Sequence, residues 1–156
     1  MKHSPLILFL LLSATGYSQP SSSIVRFNNP NSVNAASGYS HVAIVDLGNC
    51  EMLVLSGQVA LDHQGQLVGK NDLSKQTEQV FLNIRNILFE HGGSMDDVIK
   101  IGIYMKDVSQ IQSFREARDK FINLENPPAS TLVGVQSLFR DDILLEVEAT
   151  AIIPKR

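Results

Sequence analysis

Two apolar stretches in the first half of the chain predict a β-hairpin. They cover residues 40–46 and 51–56, and only Leu47-Gly48-Asn49-Cys50 separates them. Glycine and asparagine tolerate a positive φ, so a link of this composition is typical of a turn between paired strands. After the second strand the chain continues through Ser56-Gly57-Gln58 to a polar turn at residues 62–65, where we expect His63 to be solvated.

Two longer segments have apolar residues at the three- and four-residue spacing of an amphipathic helix. The first begins after Asp72, which can cap a helix, and ends at Gly92-Gly93. Its apolar stripe consists of Leu73, Val80, Ile84, Ile87 and Leu88. The second opens at Asp107 and Ser109 and ends before Pro127-Pro128, because proline supplies no amide donor. It carries Ile111, Phe114, Arg118, Phe121 and Ile122.

Alternation of residue types predicts three further strands. The first has a buried face made of Ile99, Ile101, Ile103 and Met105. A short strand follows at residues 131–135. The last strand, at residues 143–153, has a buried face made of Ile143, Leu145, Val147, Ala149 and Ala151. We expect these last two strands to form a hairpin that turns near Leu138–Phe139.

The order of these elements is strand–strand, helix, strand, helix, strand–strand. It predicts an α+β single domain in which two helices pack on one face of one mixed sheet. The opposite face of the last strand consists of Leu144, Glu146, Glu148, Thr150 and Ile152. A two-layer domain leaves that face to water or to another subunit, and its aliphatic share predicts a homo-oligomer.

The N-terminus has the pattern of a secretory signal peptide. Met1-Lys2-His3 is basic, residues 6–12 are apolar, and small residues precede a plausible cleavage site ahead of Gln19. The apolar run is too short to span a bilayer comfortably, so we expect an exported protein that leaves the membrane after cleavage. The alternative is a disordered apolar N-terminus on a cytosolic protein. We assign residues 1–18 to the signal peptide, 19–36 to a flexible leader with one short strand at 24–27, and 37–156 to the folded domain.

The charge and the cysteine content of the chain disfavour nucleic-acid binding and thiol chemistry. The chain has 156 residues and a formal net charge of −3, without the basic stripe that nucleic-acid binding usually needs. Its single cysteine, Cys50, cannot form an intrachain disulfide, and we interpret it as a small residue at a strand start rather than a nucleophile.

Five short sequences, in order over residues 36–153, resemble the Rid (YjgF) family. They are Ser37-Gly38-Tyr39, Val54-Leu55-Ser56-Gly57-Gln58, Ile103-Tyr104-Met105-Lys106-Asp107, Pro128-Ala129 and Leu145-Glu146-Val147-Glu148-Ala149. The resemblance implies a chorismate-mutase-like fold assembled as a homotrimer, with small-molecule clefts between subunits and no metal or organic cofactor. The best-known members hydrolyse reactive enamines and imines to 2-keto acids and ammonia.

The resemblance also implies roles for individual residues. Tyr39 and the backbone of Ser56-Gly57 would line the cleft, and Glu146 would hold the attacking water. A carboxylate can orient or deprotonate water, and glycine lets a ligand approach the backbone closely. The alternatives are that Glu146 and Glu148 lie on a solvated sheet face and that Tyr39 is a plain core or interface aromatic.

Ser130 is the position where the chain departs from the deaminating members. After the Pro-Ala pair those members have an arginine that binds the substrate carboxylate, and this chain has Ser130. The expected hairpin would place Glu146 opposite Ser130 and Arg140 roughly 25 Å away at the turn, too far to substitute within one chain. Without a nearby cation, a partly buried Glu146 should have a raised pKa.

Two functions therefore remain open. The first is a small-molecule-binding protein that has lost efficient imine hydrolysis. The second is an enamine/imine deaminase with an altered substrate preference. RNA cleavage, a third function attached to the family, is disfavoured by the acidic chain.

Overall fold

The computed structural model describes residues 23–155 and shows six strands and two helices. The strands are β1 (Val25–Asn28), β2 (Val42–Asp46), β3 (Cys50–Gln58), β4 (Val98–Met105), β5 (Ala129–Gly134) and β6 (Leu145–Pro154). The helices are α1 (Leu73–Glu90) and α2 (Ile111–Arg118), with short 3₁₀ turns at Met95–Asp97 and Val108–Gln110. The predicted signal peptide, residues 1–18, lies outside the described residues.

The strands form one mixed sheet in the order β1-β2-β3-β6-β4-β5. The predicted β2–β3 hairpin is confirmed, and the link between its strands includes Gly48 at φ 91°. The predicted hairpin of the last two strands is wrong. β5 pairs in parallel with β4 through the α2 crossover, and β6 inserts antiparallel between β3 and β4. Parallel pairing needs such a crossover, which local alternation along the chain does not reveal.

The predicted start of the first helix is confirmed by its cap, whereas Asp107, where the second helix was predicted to open, caps the 3₁₀ turn Val108–Gln110, and α2 itself begins at Ile111. The Asp72 carboxylate accepts a hydrogen bond from the Lys75 amide, and the Asp107 carboxylate accepts one from the Ser109 amide. The second helix is shorter than predicted and ends at Arg118. Beyond it, the Asn123 side chain accepts hydrogen bonds from two following amides, which turns the backbone before the proline pair is reached.

Alternate residues of the sheet face the two helices and form the core. β6 contributes Leu145, Val147, Ala149 and Ala151, which are buried as predicted, and also the buried Ile153. The prediction for Ile99 is wrong, since this side chain is 50% exposed. The pairing of β4 with β6 is irregular between Val98 and Lys100, so Val98 takes the buried position.

The sheet begins within the segment predicted as a leader. The short strand expected there is present as β1, which pairs antiparallel with β2. Between β1 and the predicted domain start at Ser37, Val33 is buried in the main core. Among the described residues, no helix is long and apolar enough to cross a membrane.

The face of the sheet that points away from the helices has no covering layer within the described chain. It presents exposed or half-exposed apolar side chains on five strands: Val25, Phe27, Ala43, Val54, Ile152 and Val133. We call this the open face. Glu146, Glu148 and Tyr104 lie on the same face, because paired residues in a sheet point to the same side.

One buried side chain joins the helical layer to the segment that leads into β6. The Gln76 amide donates to the carbonyl oxygens of Gly69 (3.2 Å) and Asp142 (2.8 Å) and accepts from the Leu144 amide (2.9 Å). Gln76 is fully buried, so water cannot replace these partners. The start of β6 is thereby fixed against α1.

We expect Gln76→Ala to lower the free energy of unfolding by about 3 kcal/mol, because it leaves buried backbone groups unpaired. Urea denaturation followed by circular dichroism measures the change. Gln112→Ala is the matched control, since that amide bonds only the exposed Glu116. Equal effects of the two substitutions would contradict the role assigned to Gln76.

Candidate functional site

A cavity of about 530 Å³ opens beside the junction of β3 and β6. Ten residues line it: Asn34, Ala35, Ser37, Tyr39, Ser56, Gly57, Val59, Leu61, Phe139 and Glu146. Its volume is in the usual range for small-molecule sites. Four of the five residues predicted for binding or catalysis are therefore brought together around one cavity: Tyr39, Ser56, Gly57 and Glu146.

A β-bulge in β3 forms the floor of the cavity. Leu55 pairs with Ala149 and Gln58 pairs with Val147, so Ser56 and Gly57 together oppose a single residue of β6. Glu146 folds its side chain over Gly57. A Cβ at position 57 would lie 2.7 Å from Glu146 Cγ and would overlap the carboxylate itself. Glycine at this position therefore makes room for the carboxylate.

Burial and charge both act on the Glu146 carboxyl. Desolvation raises its pKa above the ordinary value, and repulsion from Glu148 adds to the rise. None of the ion pairs among the described residues includes Glu146. The rise in pKa expected from the sequence is confirmed, and its main cause is burial.

A hydrogen-bond network behind the cavity holds one of its walls. The buried His41 ring contacts the Asn34 carbonyl oxygen through Nε2 (2.7 Å) and the Gln58 amide through Nδ1 (3.2 Å). Gln58 also donates to the Ser56 carbonyl oxygen, and the Ser56 amide donates to the His41 carbonyl oxygen. His41 therefore links the loop at Asn34 to the bulged strand.

The aromatic and hydroxyl groups of the cavity differ in how firmly they are held. The Tyr39 ring packs edge-on against His41 with centroids 5.2 Å apart, and Tyr39 is 47% exposed. The Ser56 hydroxyl donates to the Ser40 carbonyl oxygen at 2.6 Å, so only its lone pairs are free for a ligand. Phe139 is 66% exposed at the mouth.

Sequence reasoning did not single out several residues of this site. His41 and Gln58 hold the walls, and Asn34, Ala35, Val59, Leu61 and Phe139 line the cavity. The only available signal was the polar pair His41 and Gln58 within apolar strands, since buried polar side chains need partners. The sequence around the loop residues contained no such signal, because only the three-dimensional path of the backbone brings these residues to the cavity.

Ser130 is not part of the cavity. It is exposed on the edge strand β5 and pairs with Ile101, whose buried side chain points toward the helices. Glu146 pairs with Tyr104 on the open face. Because side chains alternate along a strand, Ser130 and Glu146 point to opposite faces of the sheet. The expectation that they lie opposite each other in one chain is therefore wrong, since β4 lies between their strands.

Arg140 is also unavailable to the cavity within one chain. Its guanidinium makes two bonds to the Asp142 carboxylate, at 2.9 and 2.7 Å. This fork geometry is the preferred pairing of arginine with a carboxylate. Among the described residues, no group of three or more histidine, cysteine or acidic side chains is arranged to hold a metal ion.

Comparison with known proteins identifies the family. The sequence model of the family described as Endoribonuclease L-PSP matches residues 29–153. The chain belongs to the Rid (YjgF) family. Among relatives of this Rid-family protein, a RutC family protein of Pyrococcus abyssi is 34% identical over 107 residues, covering 69% of this chain and 81% of the relative. Protein HMF1 of Saccharomyces cerevisiae is 30% identical over 122 residues, covering 78% and 88%.

Solved structures confirm the Rid-family fold, which is chorismate-mutase-like. RidA from an Antarctic Psychrobacter superposes with a TM-score of 0.71 at 29% identity, covering 82% of this chain and 99% of its own. The yeast protein YEO7 gives a TM-score of 0.72 at 29% identity, covering 85% and 99%. The predicted α+β class, with two helices on one face of a mixed sheet, is confirmed.

We expect Glu146→Gln to stabilise this Rid-family protein at pH 7. A carboxyl whose pKa is raised on folding favours the folded state in acid, and that stability is lost as pH rises through the raised pKa. Glutamine cannot ionise and therefore avoids this loss of stability. The free energy of unfolding that the variant gains over the parent should accordingly shrink below about pH 4. Urea denaturation at both pH values measures it, with Glu116→Gln on α2 as control. A gain that is the same at both pH values would contradict the argument.

Proposed function

We propose that this chain is a small-molecule-binding protein of the Rid family with a degenerate imine deaminase site. The observation that carries the proposal is Ser130, which follows Pro128-Ala129 where the deaminating members have an arginine. In addition, none of the described residues that line the cavity is a cation. Within one chain, the described part of the site therefore offers no group of the kind that binds a substrate carboxylate in those members.

The size of the effect follows from the chemistry of the two side chains. A guanidinium makes two parallel charge-assisted bonds to a carboxylate, whereas a serine hydroxyl makes one neutral bond. Bonds to charged groups contribute about 1.5–3 kcal/mol. The exchange should weaken binding of a 2-imino acid by roughly ten- to a hundredfold.

The proposal includes assembly as a homotrimer with ligand clefts between subunits. Ser130 and Glu146 point to opposite faces of one sheet, so they can form a common site only if neighbouring subunits bring them together. The exposed apolar residues of the open face supply a surface that another subunit would bury. Export of the mature chain, indicated by the signal-peptide pattern, completes the proposal.

A second function is favoured by the geometry of Glu146. Its half-buried carboxylate lies over Gly57 at the cavity floor, with space beside it for a small ligand and a water molecule. A carboxylate with a raised pKa is a suitable general base for water attack on an imine carbon. An enamine/imine deaminase that accepts imines without a carboxylate would use this arrangement without an arginine. RNA cleavage has less support, because the acidic residue among the described lining residues, Glu146, repels phosphate when it is ionised.

We expect the purified protein not to accelerate hydrolysis of 2-iminobutyrate, generated from threonine by a dehydratase, above the uncatalysed rate. Ser130→Arg should create or raise this activity by restoring carboxylate binding. Ser130→Lys is the matched control, because lysine adds the positive charge without the bidentate hydrogen-bond donor of arginine. A correctly folded but inert Ser130→Arg variant would refute the account based on Ser130. Activity of the parent at rates typical of arginine-containing relatives would favour the deaminase instead.

We expect light scattering to show a trimer in solution, and Val54→Glu to reduce it to smaller species. Val54 is 43% exposed on the open face, where a buried charge would oppose association. Phe89→Glu is the control, since Phe89 is 79% exposed on α1, on the helical side. A monomeric parent, or dissociation caused equally by both variants, would contradict assembly through the open face.

A further inference from the structure

We propose that the cavity at Glu146 selects small organic cations, in which an ammonium or iminium group is attached to an apolar body, over carboxylates. The inference rests on the proposed function in that it assigns a ligand class to the same cavity. It reverses the charge preference of a site that binds 2-imino acids.

The charge carried by the residues that line the cavity has one sign. Glu146 is the acidic residue among those that line it, and no lysine, arginine or histidine is among the described lining residues. Glu148 lies two residues away on the same face of β6 and raises the pKa of Tyr104 by repelling the phenolate. A cation entering this region is attracted by both carboxylates, and a carboxylate ligand is repelled by both.

Burial of Glu146 increases the advantage of a cationic ligand. The fold has already removed part of the water around this carboxylate, and none of the ion pairs formed within residues 23–155 replaces it. A ligand ammonium or iminium N–H would supply that missing partner at reduced desolvation cost. Such a ligand would also hold Glu146 in its ionised form, because an opposite charge lowers the pKa of a carboxyl.

The walls suit an apolar body attached to the charged group. Ala35, Val59 and Leu61 provide aliphatic surface inside the cavity. Tyr39 and Phe139 place aromatic rings at its exposed side, and the faces of such rings attract cations. The volume of about 530 Å³ accommodates a ring of six atoms with its charged substituent.

Two basic side chains of the described residues, Arg140 and Lys106, make hydrogen bonds to other groups. Arg140, next to the cavity residue Phe139, is held by both oxygens of Asp142. Lys106 donates to the Asp141 carbonyl oxygen at 2.9 Å. To pair with Glu146, either side chain would have to give up these bonds, which favours the negative character of the cavity.

Three ligands of similar shape and different charge test the proposal: cyclohexylamine, cyclohexanol and cyclohexanecarboxylate. Calorimetric titration of the purified protein at pH 7 should give cyclohexylamine an affinity about tenfold or more above that of cyclohexanol. The carboxylate should bind more weakly than the alcohol. Equal affinities for all three, or tighter binding of the carboxylate, would overturn the proposal.

Substitutions identify the side chain responsible for amine binding. Glu146→Gln should reduce the affinity for cyclohexylamine to about that of cyclohexanol and leave the alcohol unchanged. Glu116→Gln makes the same chemical change on α2, away from the cavity, and should change neither affinity. Amine binding that survives Glu146→Gln would overturn the proposal. Amine binding by the parent should also weaken as pH falls through the raised pKa of Glu146.

The outcome is separate from the test of the deaminase site. Rapid hydrolysis of 2-iminobutyrate would refute the degenerate site, whatever the amine titration shows. A protein that neither hydrolyses 2-iminobutyrate nor prefers cyclohexylamine would keep the degenerate site and refute the cation preference.

Discussion

The structure depends on the insertion of β6 between β3 and β4. One face of β6 supplies five buried core residues, and the period-two alternation of a strand then forces Glu146 and Glu148 onto the opposite face. The carboxylates cannot be displaced without displacing the core. Gln76 holds the start of this strand against α1, so the position of Glu146 is determined by packing on the far side of the sheet.

The sequence predicted the elements well and their pairing poorly. The β2–β3 hairpin and the start of α1 depend on residues close together in the chain, such as Asp72 and its capped amide. The position of β6 depends on β4, some forty residues earlier, and no local pattern indicates which neighbour a strand will choose. Ile99 was misplaced for a related reason, because the irregularity that exposes it exists only in the pairing with β6.

The candidate site was predicted in part, and only through family resemblance. Tyr39, Ser56, Gly57 and Glu146 surround one cavity, although spacing alone gave no reason to group them. Ser130 was placed beside Glu146 because of the incorrect hairpin, and it lies on the other side of the sheet. The supporting network of His41 and Gln58 was missed because its partners, including Asn34, come from a loop whose path the sequence does not indicate.

The close approach of Gly57 and Glu146 makes these two positions mutually dependent. Any side chain at 57 would occupy the space of the carboxylate, so a change there is equivalent in part to a change at 146. The effects of substitutions at the two positions should therefore not be additive. In related chains, the residue at one position would restrict what is tolerated at the other, and a shortened residue at 146 would permit a larger one at 57.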